Sequence, residues 1–215
     1  MRKRFDEQLN ELNQEMQTMG TMVEDAIQKA IEALLKQDEE LAQSVMEADA
    51  LVDQKQKEIE SICFTLLMQQ QPVASDLRVI SAALKMVTDM ERIGDHAADI
   101  SEMTLHLAHE PYIKNLDHIR QMATETTWML IQSVEAYVEK DVKKASGVIV
   151  HDDIVDGLFA ETKKDLIELI HKDKNNGEQA TDLLMVAKYF ERIGDHATNL
   201  AEWVIFSIDK TPRAM

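Results

Sequence analysis

Turn formers and aromatic side chains are scarce in this sequence: its 215 residues include six glycines, three prolines and only 5% aromatics. A strand-rich domain needs turn residues at short intervals, with β-branched or aromatic runs between them. That material is missing, so β architectures are disfavoured. The single cysteine, Cys63, rules out an internal disulfide and leaves a thiolate metal site without partners. Its setting in Ile62-Cys63-Phe64 reads as a core thiol. Apolar runs long enough to span a bilayer are also absent. Arg2, Lys3 and Arg4 are not followed by the apolar segment of a signal peptide. The expectation is a soluble, cytoplasmic protein, peripheral at most to a membrane complex. Positive charge is short as well: 23 Lys and Arg stand against 40 Asp and Glu, a net −17. Such a surface repels phosphate backbones, which argues against nucleic acid as a partner. It suits cations or basic protein patches.

What is present favours long helices. Hydrophobic residues make up 45% of the chain and methionine is frequent, at 13 residues, which supplies helix formers and adaptable core side chains. The chain also repeats itself. Glu91-Arg-Ile-Gly-Asp95-His96-Ala97 recurs as Glu191-Arg-Ile-Gly-Asp195-His196-Ala197, 100 residues on. Upstream, Glu32 to Asp38 aligns with Glu135 to Asp141, and Asp49 to Asp53 with Asp152 to Asp156, both at an offset of 103. A seven-residue identity at matching places indicates duplication of one structural unit.

Each unit reads as three helices. Leu9, Leu12, Met16, Met19 and Val23 recur at spacings of three and four, predicting a helix from near Phe5 to near Gln37. Asp38 is placed to cap a second helix reaching about Gln70. Pro72 breaks that helix, because the residue before a proline is pushed out of helical conformation. Ser75 or Asp76 is placed to cap a third helix, which continues to near His109. Pro111 marks the boundary between the halves. The second half is predicted to hold helices from Ile113 to Lys140, from an Asp141 cap to Lys172, and from Glu178 to Asp209. Asn175-Asn176-Gly177 forms the last turn. The expected fold class is all-α: two tandem, pseudo-symmetric antiparallel three-helix bundles, residues 1–110 and 111–215. One continuous six-helix assembly is the alternative.

The residues with chemical content are four carboxylate pairs at i, i+4: Asp49/Asp53, Glu91/Asp95, Asp152/Asp156 and Glu191/Asp195. Each pair lies on one helix face, a turn apart. Like charges at this spacing weaken a helix by a few tenths of a kcal/mol, so four such pairs placed equivalently in both halves ask for a reason. Two neighbouring helices, each offering a pair, would surround a polyvalent cation with oxygen donors, which suits hard ions. Asp99, Glu102 and Glu202 extend the stripes, Asn199 stands where the first half has Asp99, and Asp89 and Asp153 add charge nearby. An ordinary solvated helix face has the same geometry: Met86, Ile93, Ala97 and Ile100 form the opposite, apolar side. His96 and His196 project about 100° away from the aspartates that precede them, which favours hydrogen-bonded or interface histidines over ligands. Arg92 and Arg192 are candidates for ion pairs across helices or for partner contacts. Gly94 and Gly194 sit inside helices at a cost of about 1 kcal/mol against Ala, which points to the close approach of another helix or to a metal site. No Gly-rich phosphate loop and no nucleophile-base-acid arrangement stand out.

These residues carry a family resemblance. The duplicated Glu91-Arg-Ile-Gly-Asp95 and Glu191-Arg-Ile-Gly-Asp195, each with an upstream Asp-x-x-x-Asp, resemble the paired acidic motifs of the PhoU family. Gln70-Gln71-Pro72-Val73-Ala74-Ser75-Asp76-Leu77-Arg78 resembles that family's connection between second and third helices. The resemblance implies a non-enzymatic negative regulator of phosphate uptake and of the phosphate-starvation response. It further implies an adaptor between the ATPase subunit of the high-affinity phosphate ABC transporter and a phosphate-sensing histidine kinase; the expected assembly, apart from the resemblance, is a homodimer or a monomer in equilibrium with one. It implies multinuclear iron or zinc clusters, with manganese or magnesium as further candidates. The implied ligands are Asp49, Asp53, Glu91 and Asp95 in one site, and Asp152, Asp156, Glu191 and Asp195 in the other. The competing reading is a carboxylate-bridged metalloprotein with redox or storage activity. Helical di-iron proteins usually add a Glu-x-x-His pair, and here Gly94 and Gly194 occupy the His positions.

Overall fold

The three-and-four spacing of apolar residues at the start of the chain produces a helix that buries one stripe. In a computed structural model describing residues 2–69 and 73–209, α1 (Arg2–Lys36) buries Leu12, Met16, Met19, Val23, Ile27 and Leu34 completely. It ends at Gln37, a non-glycine residue in the left-handed region (φ 53°), and Asp38 then caps α2 (Glu39–Gln69) by accepting from the Leu41 amide at 3.0 Å. The duplicate repeats this turn. Lys140, 103 residues on, has φ 57°, and Asp141 accepts from the amides of Lys143 and Lys144 to start α5 (Val142–Lys172).

The Pro72 break and the Gln70–Gln71 part of the linker lie outside the described residues. α3 (Ala74–Leu107) has its N-cap at Val73, earlier than Ser75 or Asp76; Asp76 instead sits in the first turn, where its carboxylate accepts from the Val73 amide. α4 (Asp117–Glu139) starts four residues later than Ile113. The reason is local: the Ile113 amide donates to Gln179 Oε1 at 2.6 Å and the Tyr112 hydroxyl to the Leu34 carbonyl at 2.5 Å, so tertiary contacts hold this connection outside a helix. A 3-10 turn at Lys174–Asn176 leads into α6 (Gly177–Ile208). Asp173 organises this turn by accepting from the Asn175 amide, and Gly177 is helical, so its conformational freedom is not used.

α1, α2 and α3 pack against one another, and α4, α5 and α6 do the same. These are two three-helix bundles joined face to face through α3–α6 and α1–α4. Arg78 at the start of α3 donates to the Asp209 carbonyl just past α6 and lies 5.2 Å from the Phe206 ring, while His96 meets His196 further along. The two central helices therefore run in opposite directions, as pseudo-two-fold symmetry requires. One continuous apolar core draws on all six helices, with Phe190, Met86, Met90 and Ile93 among its fully buried members. Cys63 is buried in it, and burial pushes its thiol up to about 12. Among the described residues, no helix is long and apolar enough to cross a membrane.

Candidate functional site: two carboxylate clusters

α2 and α3 are held together by apolar side chains on their facing stripes, Val45, Val52 and Ile59 on one and Met86, Ile93 and Ala97 on the other. The acidic residues flank these stripes. Asp49 and Asp53 on α2 meet Asp95 on α3, with one oxygen of each within 4.8 Å of the other two. Gly94 allows this approach. A Cβ there would lie 3.2 Å from Val52 Cγ1 and 3.5 Å from Asp49 Oδ1. That same Oδ1 is buried and has no hydrogen-bond partner among the described residues. Glu91, one turn before Asp95, stands outside this trio, with its side chain 18% exposed.

The electrostatics follow from this crowding. Burial, then the charges of Asp95, Asp53 and Asp99, raise the Asp49 carboxyl above its ordinary value. Burial and Asp95 raise Glu91 in the same way, with Arg92 as the opposing influence. Arg92 lies 3.0 Å from Asp95 and 3.6 Å from Glu91. It thus pairs within its own helix, not across helices, and remains largely exposed. Arg192 is exposed and makes no hydrogen bond or ion pair among the described residues.

The second set repeats the sequence plan, but among the described residues no trio of its carboxylates gathers as Asp49, Asp53 and Asp95 do. A Cβ on Gly194 would lie 3.0 Å from Asp152 Oδ1 and 3.4 Å from Val155. The Asp152 carboxyl is pushed up to about 6, first by burial and then by Asp156, Asp195 and Glu191. Asp195 is raised by burial and by Glu191, and the Lys188 charge opposes this. Lys188 has entered the cluster: its ammonium pairs with Glu191 and lies 5.4 Å from the centre of the Phe159 ring. The first half has Thr88 at this position. Its signal in the sequence was the one-for-one comparison of the two halves, which exposes a lysine where a threonine stands.

The remaining candidates face elsewhere. Asp99 lies 3.1 Å from His96 Nδ1, and His96 stacks on Tyr189 of α6 with ring centroids 5.7 Å apart. Asn199 donates to Asp89 Oδ1, which is also 2.8 Å from His196 Nδ1. Both histidines thus sit at the α3–α6 junction, 5.7 Å apart. Burial outweighs the pull of Asp99 and lowers the His96 pKa. Glu102 and Glu202 are exposed.

The donor set of the first cluster is all carboxylate. It includes a buried oxygen that no group among the described residues satisfies, and it is backed by a glycine that leaves room for close approach. These features fit a hard or borderline cation with oxygen ligands. In the second cluster an internal ammonium competes for one of the four carboxylates.

The chain is similar along its length to known proteins. The PhoU domain model matches residues 16–104 and 119–204. The phosphate-specific transport system accessory protein PhoU homolog of Clostridium acetobutylicum is 41% identical over 208 residues, covering 96% of this chain and 95% of that protein. Its counterpart in Aquifex aeolicus is 38% identical, covering 86% of this chain and 84% of that protein. The crystal structure of PhoU from Pseudomonas aeruginosa superposes with a TM-score of 0.91 at 30% identity, covering 95% of this chain and 98% of that one. That of the phosphate transport system regulatory protein PhoU from Streptococcus pneumoniae gives 0.87 at 28% identity, covering 94% and 96%. The matched segments span most of both bundles and contain both carboxylate clusters, so the chain belongs to the PhoU family.

Proposed function

We propose that this chain is an accessory protein of a phosphate-specific transport system and acts as a negative regulator of phosphate uptake and of the phosphate-starvation response. The observation that carries this reading is the 41% identity to such an accessory protein over 96% of the chain. In this reading it works without catalysis, as a cytoplasmic adaptor between the transporter's ATPase subunit and a phosphate-sensing histidine kinase. Residues 1–110 and 111–215 are its duplicated units, and it acts as a homodimer. The strong negative charge suits contacts with basic patches on either partner. Deleting the gene should derepress phosphate-starvation genes in phosphate-rich medium. Expression that stays repressed in the deletion strain would sink the proposal.

The carboxylate clusters belong to the same proposal. Asp49, Asp53, Glu91 and Asp95 would hold iron or zinc as a multinuclear cluster, or manganese or magnesium. Asp152, Asp156, Glu191 and Asp195 would form the second, weaker site. The orphaned Asp49 oxygen supports the first assignment, since a buried carboxylate oxygen without a donor is costly unless something binds it. Bound metal would supply positive charge that offsets the mutual repulsion of the four carboxylates and fixes α2 against α3. Metal analysis of the purified protein, beside a Glu91→Gln/Asp95→Asn/Glu191→Gln/Asp195→Asn variant, tests it. Equal metal content in the two proteins would remove the assignment.

A further inference from the structure

At the end of the molecule where α1 and α3 begin and α4 and α6 finish, these four helices enclose a cavity of about 200 Å³. Ser75 and Val79 of α3, Tyr137 of α4, Lys140 just past it, and Ser207 and Ile208 of α6 are among the residues of its wall. Lys140 is the left-handed residue that ends α4, and its ammonium makes no hydrogen bond or ion pair among the described residues.

The duplication shows what such a cavity holds. At the offset of 103, Tyr137 and Lys140 correspond to Leu34 and Gln37; at the offset of 100, Val79 and Ser207 correspond to Gln179 and Leu107. All four counterparts meet one stretch of chain, the connection that leaves α3 for α4. The Leu34 carbonyl accepts from the Tyr112 hydroxyl at 2.5 Å. Gln37 Nε2 donates to the carbonyls of Leu107 and Glu110 at 2.6 and 2.7 Å. Gln179 accepts from the Ile113 amide and donates to the Pro111 carbonyl. In the same register 100 residues on, Lys210-Thr211-Pro212 stands where Glu110-Pro111-Tyr112 does, after α6 instead of α3.

We infer that this cavity is the seat of the chain's own segment after α6, residues 210–215, which straps the two bundles together at this end as the α3–α4 connection does at the other. α6 delivers the chain to the cavity's edge: Ser207 and Ile208 belong to the wall, and Asp209 has extended backbone (φ −72°, ψ 120°). Lys140 has the same left-handed backbone as Gln37 (φ 57° and 53°), so its side chain sets out on the same course. Its ammonium supplies donors where the Gln37 amide donates to two carbonyls. Val79 puts apolar surface where Gln179 makes two hydrogen bonds, so the strap is held more weakly than the connection and can be released. The inference rests on neither the metal assignment nor the regulatory reading.

The test is disulfide trapping in the full chain. The native Cys63 is buried, so introduced surface thiols react with each other. Ser75→Cys/Thr211→Cys places one thiol in the cavity wall and the other in the segment. Leu77→Cys/Thr211→Cys is the control, because Leu77 is exposed and stands beside Arg78, which holds the Asp209 carbonyl, within reach of an undirected segment. Under mild oxidation the first pair should close within the chain at least about tenfold faster than the second, since a seated segment raises the local thiol concentration at Ser75 alone. Lys140→Ala should remove that difference, and Lys140→Gln, which imports the Gln37 donor, should preserve it. Equal rates for the two pairs, or a difference unmoved by Lys140→Ala, would overturn the inference. So would a disulfide between chains as the main product of the first pair, which would give the seat to the segment of a second copy.

Discussion

A methyl group placed on Gly194 would lie 3.0 Å from Oδ1 of Asp152, and one on Gly94 would lie 3.5 Å from Oδ1 of Asp49. In both halves a helix-interior glycine is therefore the surface against which a cluster carboxylate rests. Glycine at such a position forfeits about 1 kcal/mol of helix stability against alanine. Gly147 and Gly157 on α5 have nothing within 4 Å of the added methyl. Gly147→Ala and Gly157→Ala should each raise the melting temperature by about 2–4 °C. Gly194→Ala should not, because Asp152 and Val155 must move to admit the methyl. Thermal denaturation of the three single Ala variants checks the contrast, and an equal gain at Gly194 would refute it.

Asp89 of α3 is the shared acceptor for His196 and Asn199 of α6, and its side chain is only 15% exposed. Removing it leaves two polar groups of the inter-bundle junction without their partner. Asp89→Ala should destabilise the protein by about 1–3 kcal/mol. His196→Ala in the same background should add little, because the two residues act as one unit. A double-mutant cycle by urea denaturation measures this. Additive losses would show that the pair is not coupled.

Much of this fold was legible before any coordinates. The period of Leu12, Met16, Met19 and Val23, the Asp38 and Asp141 caps and the duplicated motif together give six helices in two sets of three. The less legible parts depend on tertiary contacts. α4 starts late because Gln179, 66 residues away, takes the Ile113 amide. Gln37 and Lys140 adopt left-handed backbone without being glycine, which no local signal announces. At the site, i, i+4 spacing places carboxylates on one face but does not say which face meets a neighbour. That depended on Gly94 and Gly194 admitting α2 and α5. Lys188 was less legible because a lysine three residues before the second copy of the motif reads as surface until the helices are packed.

The raised carboxyls make stability depend on pH in an uncommon direction. Asp152 titrates at about 6 in the folded protein, and at its ordinary value near 3.8 in the unfolded chain. Between these values the folded state holds a proton that the unfolded state has released. The stability this represents is complete below the unfolded value and is lost as pH rises through about 6. Asp49, Glu91 and Asp195 shift in the same direction. Asp141 and Asp165 are held low by backbone amides and by Lys114 respectively, so their contribution is lost only in the more acidic range below the usual Asp value. The metal-free protein should therefore melt at a higher temperature near pH 5 than at pH 7, and Asp152→Asn should flatten that slope. A melting temperature that falls steadily from pH 7 to 5 would contradict the argument.

Lys188 makes the two clusters unequal. Its ammonium already neutralises part of the second cluster through Glu191, whereas the first has Thr88 at that position and the exposed Arg92 nearby. A divalent cation entering the second cluster must displace or tolerate that charge, and the Asn199 position offers no carboxylate in return. Stepwise titration of the apo protein with Zn²⁺ or Mn²⁺ should show the first cluster filling first. Lys188→Thr should then strengthen the weaker step by about tenfold and leave the tighter step unchanged. Glu191→Gln, which frees the lysine but removes a ligand, should weaken that step instead. Two indistinguishable sites in the unmodified protein, or a weaker step unmoved by Lys188→Thr, would show that the internal ion pair does not govern access to the second cluster.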